Sequence, residues 1–234
     1  MSALRSKRAA AAAALDYVES GMTLALGSGS TAEIFVSLLG ERLKAGDLSV
    51  RGVPSSEATA EAAKDAGVPL VPVEHVDRIH LCVDGADEID PKLRLIKGGG
   101  GCLLREKILA HASDHMVVIA DGSKLVEQLG AFPLPVEVDP FGFTITAKKL
   151  FDVLRASGCA NADVALRTGS EDDDPFLTDG GHYILDCQAE RIPDPKETAR
   201  RIAQIPGVVE HGLFVGLART AIIGHEDSVD ILEV

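Results

Sequence analysis

Short apolar runs alternate with helical patterns over the first half of the chain. The pattern predicts buried strands at residues 22–26, 48–53, 79–83 and 116–120, and helices between them at residues 31–43, 57–66 and 102–112. In the predicted helix at residues 31–43, the spacing of four residues places apolar side chains on one face; they are Ile34, Phe35, Leu38 and Leu39. Strands separated by helices of this length form βαβ units, so we expect a parallel sheet covered by helices.

After Pro133 and Pro135 the pattern changes. Strands are predicted at residues 136–138, 164–166, 183–185 and 208–214, and helices at residues 144–156 and 196–205. This β-α-β-β-α-β order is typical of a ferredoxin-like layout. Two more short strands, at residues 220–223 and 229–232, are expected to rejoin the first sheet.

The fold class expected from these patterns is α/β, with two domains. We predict a Rossmann-like parallel-sheet domain at residues 1–131, rejoined by about residues 208–234. Residues 132–207 form the predicted second domain, a ferredoxin-like α+β unit. The acidic stretch at residues 171–174 is interpreted as a solvated loop tip.

Charge and cysteine content exclude several classes of protein. The 234 residues carry a formal net charge of −13, which argues against nucleic acid or an anionic membrane as a partner. The four cysteines form no C-x-x-C pair, so neither a zinc site nor a redox dithiol is predicted, and we expect reduced thiols. Arg5, Lys7 and Arg8 precede an alanine run that indicates an amphipathic first helix rather than a signal peptide.

Polar clusters follow four of the predicted strands directly. In an open parallel sheet, ligands bind outside the carboxyl ends of the strands, so these clusters are expected to converge. They are Gly27-Ser28-Gly29-Ser30-Thr31, Ser55-Ser56-Glu57, Asp84-Gly85-Ala86-Asp87 and Asp121-Gly122-Ser123-Lys124.

A run of four glycines suggests a second binding element. Lys97 precedes Gly98-Gly99-Gly100-Gly101, and Glu106 follows in the next predicted helix. Ordering four glycines is unfavourable, which makes sense where backbone N–H groups must approach a ligand. Lysine and these amides would form an anion cradle, and Glu106 would supply a base. The alternatives are a flexible surface loop, a surface lysine and a solvated helix charge.

Two cofactor readings compete at these loops. Gly27, Gly29 and Ala32 match a weak G-x-G-x-x-A dinucleotide fingerprint, but no acidic residue closes the second strand. Glu88 and Asp90 add carboxylates near Asp84 and Asp87, although their spacing does not fit an EF-hand loop. We expect neither a metal nor an organic cofactor.

Six motifs closely resemble those of the A-type ribose-5-phosphate isomerases, over essentially the whole chain and in the same order. They are Ser28-Gly29-Ser30-Thr31, Asp84-Gly85-Ala86-Asp87-Glu88, Lys97-Gly98-Gly99-Gly100, Arg105-Glu106-Lys107, Phe132-Pro133-Leu134-Pro135-Val136-Glu137 and Ile205-Pro206-Gly207-Val208. The resemblance implies a metal-free aldose–ketose isomerase of the pentose phosphate pathway, acting on D-ribose 5-phosphate and D-ribulose 5-phosphate. It also implies that the Rossmann-like domain is catalytic, and that the chain forms a homodimer or homotetramer in which the ferredoxin-like domain serves in oligomerisation or as a lid. The reduced cysteines indicate a cytoplasmic protein.

Matched position by position, the resemblance assigns roles to individual residues. It implies that Glu106 is the general base that shuttles a proton between C1 and C2. Asp84, Asp87 and Lys97 match catalytic residues that bind and polarise the substrate. The remaining substrate-binding positions that it implies are Ser28, Gly29, Ser30, Thr31, Gly85, Ala86, Gly98, Gly99, Gly100, Lys124 and Lys7.

Other functions remain as alternatives at the level of sequence. A sugar-phosphate deaminase or a CoA transferase of similar fold would share the polar clusters. A sugar-phosphate-binding regulator is disfavoured, because no basic helix-turn-helix precedes residue 22 and the chain is strongly acidic. An NAD-binding module is the third alternative.

Overall fold

The computed structural model describes residues 2–169 and 174–234. The acidic stretch predicted to be a loop tip lies outside the described residues, except for Asp174, which is exposed. The chain divides into two compact units. The first comprises the described residues of Met1–Ala86, Arg105–Leu125 and Gly216–Val234, and the second those of Asp87–Leu104 and Val126–Val215.

The described residues form six α-helices and thirteen strands. The helices are α1 (Ser2–Ala14), α2 (Ser30–Ala45), α3 (Glu57–Ala66), α4 (Leu103–Ala112), α5 (Phe143–Ala156) and α6 (Pro195–Ile202). The strands are β1 (Thr23–Leu26), β2 (Arg51–Pro54), β3 (Ile79–Asp84), β4 (Glu88–Ile89), β5 (Leu95–Ile96), β6 (Ser113–Asp121), β7 (Leu134–Val138), β8 (Asp163–Leu166), β9 (Tyr183–Gln188), β10 (Val208–His211), β11 (Leu213–Phe214), β12 (Thr220–Gly224) and β13 (Val229–Glu233). No helix in residues 2–169 or 174–234 is both long and apolar enough to span a bilayer.

A six-stranded sheet forms the first unit. Its order is β13-β12-β6-β3-β1-β2, and all pairs are parallel except β13 with β12. The parallel strands, counted in chain order, follow the 2-1-3-4-5 order of doubly wound sheets, which reverses between β1 and β3. The predicted parallel sheet is therefore confirmed, and its switch point lies between the two strands that carry the first and third polar clusters.

Local sequence explains where the first elements begin and end. All four residues of β1 are buried, as expected for a central strand of a parallel sheet. The Ser56 side chain accepts a hydrogen bond from the Thr59 N–H and so caps α3, and Gly67 ends this helix in the left-handed region, with φ of 81°. Phe35 and Leu39 of α2 are fully buried in the apolar core of this unit.

Two antiparallel sheets form the second unit. The larger has the order β10-β7-β9-β8, with α5 and α6 in the connections, which is the predicted ferredoxin-like arrangement. The smaller has the order β11-β5-β4, and its two strands β4 and β5 are absent from the sequence prediction. Buried leucine, isoleucine and valine side chains on β7, β9, α5 and α6 form the core.

The prediction of one continuous strand at residues 208–214 is wrong. The chain divides at Gly212, so that β10 pairs with β7 and β11 pairs with β5. A Cβ at Gly212 would lie 2.2 Å from the Lys97 carbonyl oxygen, and the Gly212 N–H donates to the Pro135 carbonyl at 2.7 Å. Close approach of three backbone segments therefore interrupts the strand at a glycine.

Candidate active site

Asp84 lies at the carboxyl end of β3, next to the loop that follows β1. The side chain is completely buried, and its Oδ1 accepts hydrogen bonds from the backbone N–H groups of Gly85 at 2.7 Å and Ser28 at 3.2 Å. A Cβ at Gly27 would lie only 2.1 Å from this oxygen, so the loop approaches the carboxylate as closely as it does because Gly27 has no side chain. The first and third polar clusters are thus in direct contact.

A cluster of hydroxyl groups supports the same loop. The Ser28 Oγ lies 2.7 Å from Ser55 Oγ, 2.9 Å from Ser56 Oγ and 3.0 Å from Thr59 Oγ1. The Thr59 hydroxyl also donates to the Gly27 carbonyl at 3.1 Å. Three predicted serines are therefore brought together, and Thr59 is a buried polar partner that the sequence prediction missed. Its only sequence signal is the spacing from the cap of α3, Ser56-x-x-Thr59.

Lys7 and Ser30 face a cavity beside the first turn of α2. Lys7 Nζ donates to Ser30 Oγ at 2.8 Å. A cavity of about 420 Å³ lies at this point, and its lining also includes Leu4, Glu33, Ile34 and Ser37. Because α2 begins at Ser30, the N–H groups and the positive dipole end of this helix add to the lysine charge. This combination suits a phosphate group.

Asp121 ends β6 and stands near two lysines. Burial would raise the pKa of this carboxyl, but hydrogen bonds from the Ser123 hydroxyl and N–H, and the charges of Lys124 and Lys7, outweigh burial and lower the pKa. The Ser123 N–H lies 2.9 Å from Asp121 Oδ1. Asp121 therefore remains a carboxylate that attracts both lysines, and the fourth polar cluster joins the predicted Lys7 in one electrostatic group.

Glu106 lies in the first turn of α4 and is 5% exposed. The alternative of a solvated helix charge is therefore wrong. The neighbouring Arg105 forms an exposed ion pair with Glu57, with Nη1 and Oε1 2.9 Å apart. A carboxylate near a helix N-terminus is stabilised in its ionised form, which is the form that a general base requires.

Lys97 is buried in the second unit, with 3% of its surface exposed. Its backbone N–H donates to the Gly212 carbonyl at 2.9 Å, and its side-chain Nζ lies 5.5 Å from the centre of the Phe214 ring. The alternative of a surface lysine is therefore wrong. A cation held against an aromatic face in a region of low dielectric acts strongly on nearby negative charge.

The glycine run that follows Lys97 is an ordered turn that contacts Asp87. Gly98 has φ of 106°, and its carbonyl accepts a hydrogen bond from the Gly101 N–H at 3.0 Å. The Gly99 N–H donates to Asp87 Oδ2 at 2.8 Å. Gly99 and Gly100 are exposed, while Gly98 is buried and Asp87 is half-buried. The predicted loop therefore presents its middle residues at a surface beside a carboxylate.

The other carboxylates of this segment have structural partners. Glu88 accepts hydrogen bonds from the backbone N–H groups of Gly130 at 2.7 Å and Phe132 at 2.6 Å. Asp90 is paired with Arg94, whose Nε lies 2.6 Å from Asp90 Oδ2. Among the described residues, no group of three or more His, Cys, Asp or Glu side chains is arranged to hold a metal ion.

The predicted site residues thus fall into two sets. In the first unit, hydrogen bonds connect Ser28 with Asp84 and Lys7 with Ser30, and the charges of Lys7 and Lys124 lower the pKa of Asp121. In the second unit, a hydrogen bond connects Asp87 with the glycine run. Sequence reasoning missed Arg167, whose guanidinium contacts two carbonyls of this run, because nothing in the sequence distinguishes it from other arginines.

Comparison with known proteins gives consistent matches. The model of the family described as ribose 5-phosphate isomerase A (phosphoriboisomerase A) matches residues 51–228. The ribose-5-phosphate isomerase A of Maricaulis maris is 58% identical over the full length of both chains. A solved D-ribose-5-phosphate isomerase in complex with phospho-erythronic acid is 38% identical, with a TM-score of 0.92 and complete coverage of both chains.

A further solved structure agrees with these. The ribose 5-phosphate isomerase from Plasmodium falciparum is 36% identical, with a TM-score of 0.91 and 99% coverage of each chain. The fold and the matched lengths are therefore shared. The chain belongs to the ribose 5-phosphate isomerase A family.

Proposed function

We propose that this chain interconverts D-ribose 5-phosphate and D-ribulose 5-phosphate with Glu106 as the base that moves the proton. The observation that carries the assignment is the burial of the Glu106 carboxylate in the first turn of α4. A buried carboxylate there is held in one place, as a group that must take a proton from one carbon and return a proton to the next requires. Family membership supplies the reaction.

The reaction requires two proton transfers on carbon. Glu106 takes the proton from C2 of the open-chain aldose, and the C–H electron pair forms the C1–C2 double bond while O1 becomes negative. The protonated Glu106 then returns the proton to C1, the O2–C2 bond becomes a carbonyl, and the O2 proton passes to O1. One carboxylate can serve both carbons because they are adjacent.

The enediolate intermediate needs preorganised positive charge and N–H donors. We assign this role to Lys97 and to the amides of the glycine run at Gly98–Gly100. Burial supports this assignment for Lys97, since a desolvated cation stabilises a developing anion more strongly than an exposed one. Asp84 is proposed to accept the anomeric proton during ring opening, and Asp87 to orient the sugar hydroxyls.

The ligand bound in the 38% identical solved relative has chemistry suited to such a site. Phospho-erythronic acid carries a carboxylate at the end of a phosphorylated sugar chain. The two oxygens of that carboxylate share one negative charge in a plane, like O1 and O2 of an enediolate. We propose that this chain binds the same compound at the groups assigned to the enediolate.

The phosphate group is assigned to the first unit. Lys7, Lys124 and residues 28–31 with the start of α2 would hold it. The remaining positions implied by the resemblance, Gly85 and Ala86, follow the buried Asp84 and are proposed to line the substrate. We further propose a cytoplasmic homodimer or homotetramer, with the ferredoxin-like unit providing apolar surface such as Phe141, which is 92% exposed.

Isotope exchange tests the proposed function directly. Incubation with D-ribose 5-phosphate in deuterated water should give ribulose 5-phosphate. It should carry deuterium at C1 to the extent that the proton on Glu106 exchanges with solvent between the two transfers, as detected by NMR or mass spectrometry. Absence of any ketopentose would reject the proposal. Ammonia release or acyl-CoA exchange in place of isomerisation would favour the deaminase or transferase alternative.

Replacing Lys124 with alanine should mainly weaken substrate binding. A contact made equally in the ground state and the transition state raises KM and leaves kcat nearly unchanged. Steady-state kinetics would therefore show KM raised by about tenfold, the effect of one lost charged contact of roughly 1.5 kcal/mol. A loss of kcat with KM intact would place Lys124 in the chemical step, and Lys148→Ala on the exposed face of α5 is the matched control.

Activity should survive extensive dialysis against a chelator. The positive charge that a metal would place on the enediolate is assigned to Lys97, so removal of divalent cations should leave kcat within about twofold, well under the tenfold that 1.36 kcal/mol represents. Activity would be measured before and after dialysis against EDTA. Loss of turnover that added magnesium or zinc restores would contradict this expectation.

A further inference from the structure

Arg167 connects the ferredoxin-like sheet to the glycine run. Its Nη1 lies 3.0 Å from the Gly98 carbonyl oxygen and 3.1 Å from the Gly99 carbonyl oxygen. Its Nε and Nη2 donate to the two carboxylate oxygens of Asp186 at 2.8 Å and 2.5 Å. The side chain is 14% exposed and lies 5.7 Å from the Phe176 ring centre. One guanidinium therefore holds four acceptor atoms.

The contacts of Arg167 with two carbonyls determine the direction of the N–H groups that follow them in the chain. In a trans peptide, the C=O and the following N–H point in opposite directions, and the described backbone has no cis bond. Because the Gly98 and Gly99 carbonyls both point at Arg167, the N–H groups of Gly99 and Gly100 point away from it. The Gly99 N–H indeed donates to Asp87 Oδ2 at 2.8 Å, and the contact of the Gly99 carbonyl with Arg167 directs the Gly100 N–H away from the guanidinium.

We propose that Arg167 is a positioning residue that holds the Gly99 N–H on Asp87 and aims the Gly100 amide at the enediolate. This inference rests on the proposed function, because it takes the glycine run as the site of the developing negative charge. Glycine amides gain in stabilising power when they are fixed in advance, since no free energy is then lost in reorienting them during the reaction. Four successive glycines have high conformational freedom, and Arg167 restricts it at two of them.

Arginine suits this position and lysine does not. The planar guanidinium offers a carboxylate two parallel donors and still has a further N–H edge for the carbonyls. Asp186 lies on β9 and is paired to Arg167, so the positive charge is largely neutralised where it stands. Arg167 therefore acts through the orientation of the loop, whereas the cation assigned to the enediolate is Lys97.

Arg167→Ala should lower kcat by about 10²-fold, the loss typical of a misplaced catalytic group. Arg167→Lys should lower kcat almost as far, because an ammonium group cannot hold all four acceptors. This variant keeps the positive charge, so it can be tested if Arg167→Ala fails to fold. Added guanidinium should restore part of the lost kcat in Arg167→Ala. The matched control is Arg155→Ala in the same unit, whose guanidinium lies 5.7 Å from the Phe151 ring and is exposed.

Ligand affinities separate positioning from a general loss of structure. Calorimetry should show that Arg167→Ala binds phospho-erythronic acid more weakly by about tenfold or more, because the carboxylate of this ligand depends on the oriented glycine loop. Loss of one oriented donor to a developing oxyanion typically lowers kcat by about 10²–10³-fold. Affinity for inorganic phosphate should be unchanged. If Arg167→Ala and Arg167→Lys turn over within about threefold of the parent, a change of under 1 kcal/mol, or if both affinities fall equally, the inference is wrong. Absence of isomerase activity in the parent chain would instead reject the proposed function.

Discussion

Glu106→Gln is expected to lower kcat by at least about 10²–10⁴-fold, the usual contribution of a general base. The substitution keeps the size and polarity of a side chain that is buried in α4, so the fold and the affinity for substrate should be nearly unchanged. Incorporation of solvent deuterium at C1 or C2 should disappear in parallel, because the same carboxylate carries that proton. Steady-state kinetics and NMR of the sugar in deuterated water measure both effects.

Asp84→Asn is the matched control for this experiment. Asp84 is also a buried carboxylate, and its Oδ1 accepts hydrogen bonds from Ser28 and Gly85, which an amide oxygen can still accept. Ring opening should slow, while substrate that reaches the open-chain form still exchanges its proton. If the kcat of Glu106→Gln lies within about tenfold of the parent value, the loss is smaller than that expected for a missing general base, and the assignment is contradicted. Asp87 would then be the next candidate.

The periodic elements could be predicted because their signals are local. The pattern predicts a helix at residues 57–66, and α3 spans the same residues, since Ser56 caps its start and Gly67 ends it. The parallel sheet and the ferredoxin-like order also follow from the sequence of strands and helices. The division into domains at residue 131 stays a prediction about folding units, which limited proteolysis can test.

Elements that depend on distant partners could not be predicted. The strands β4 and β5 have two residues each and exist by pairing with each other and with β11. Gly212 divides the strand predicted at residues 208–214 because the Lys97 and Pro135 backbones lie against it, more than 70 residues away along the chain. A window of ten residues contains neither signal.

The candidate site also combines features that local sequence predicts with features that depend on distant partners. The carboxyl ends of β1 and β3 could be predicted to converge, and Ser28 does contact Asp84. The burial of Lys97 and Glu106 could not be read from sequence, since charged residues of either kind are usually exposed. The contacts of Arg167 with Gly98 and Gly99 join residues 68 or 69 positions apart and follow only from the fold.

Gly27→Ala should destabilise the protein strongly, because the new methyl group has no room. Its Cβ would lie 2.1 Å from Asp84 Oδ1 and 2.6 Å from Asp84 Cα, and the second of these is backbone that a side-chain rotation cannot move. The β1 loop and the end of β3 must therefore separate, which would strain the bond between the Gly27 N–H and the Val83 carbonyl, now 2.9 Å. Overpacking of this kind typically destabilises a protein by about 1–3 kcal/mol.

A loss of about 3 kcal/mol is at the upper end of this range. At roughly 2–4 °C per kcal/mol for a chain of this size, thermal unfolding of Gly27→Ala should show a fall in Tm of about 6–12 °C. At a temperature where the variant is still folded, kcat should be lower by at least about 10²-fold, because the Asp84 carboxylate is displaced from its aligned position. Gly85→Ala is the matched control beside the same carboxylate, since its Cβ would meet no atom closer than the Ile119 carbonyl oxygen at 3.9 Å. Its Tm should stay within about 2 °C of the parent, as for substitutions without a clash. Equal Tm values for the two variants would show that the loop after β1 tolerates a side chain, and that its close approach to Asp84 is not what orients that carboxylate.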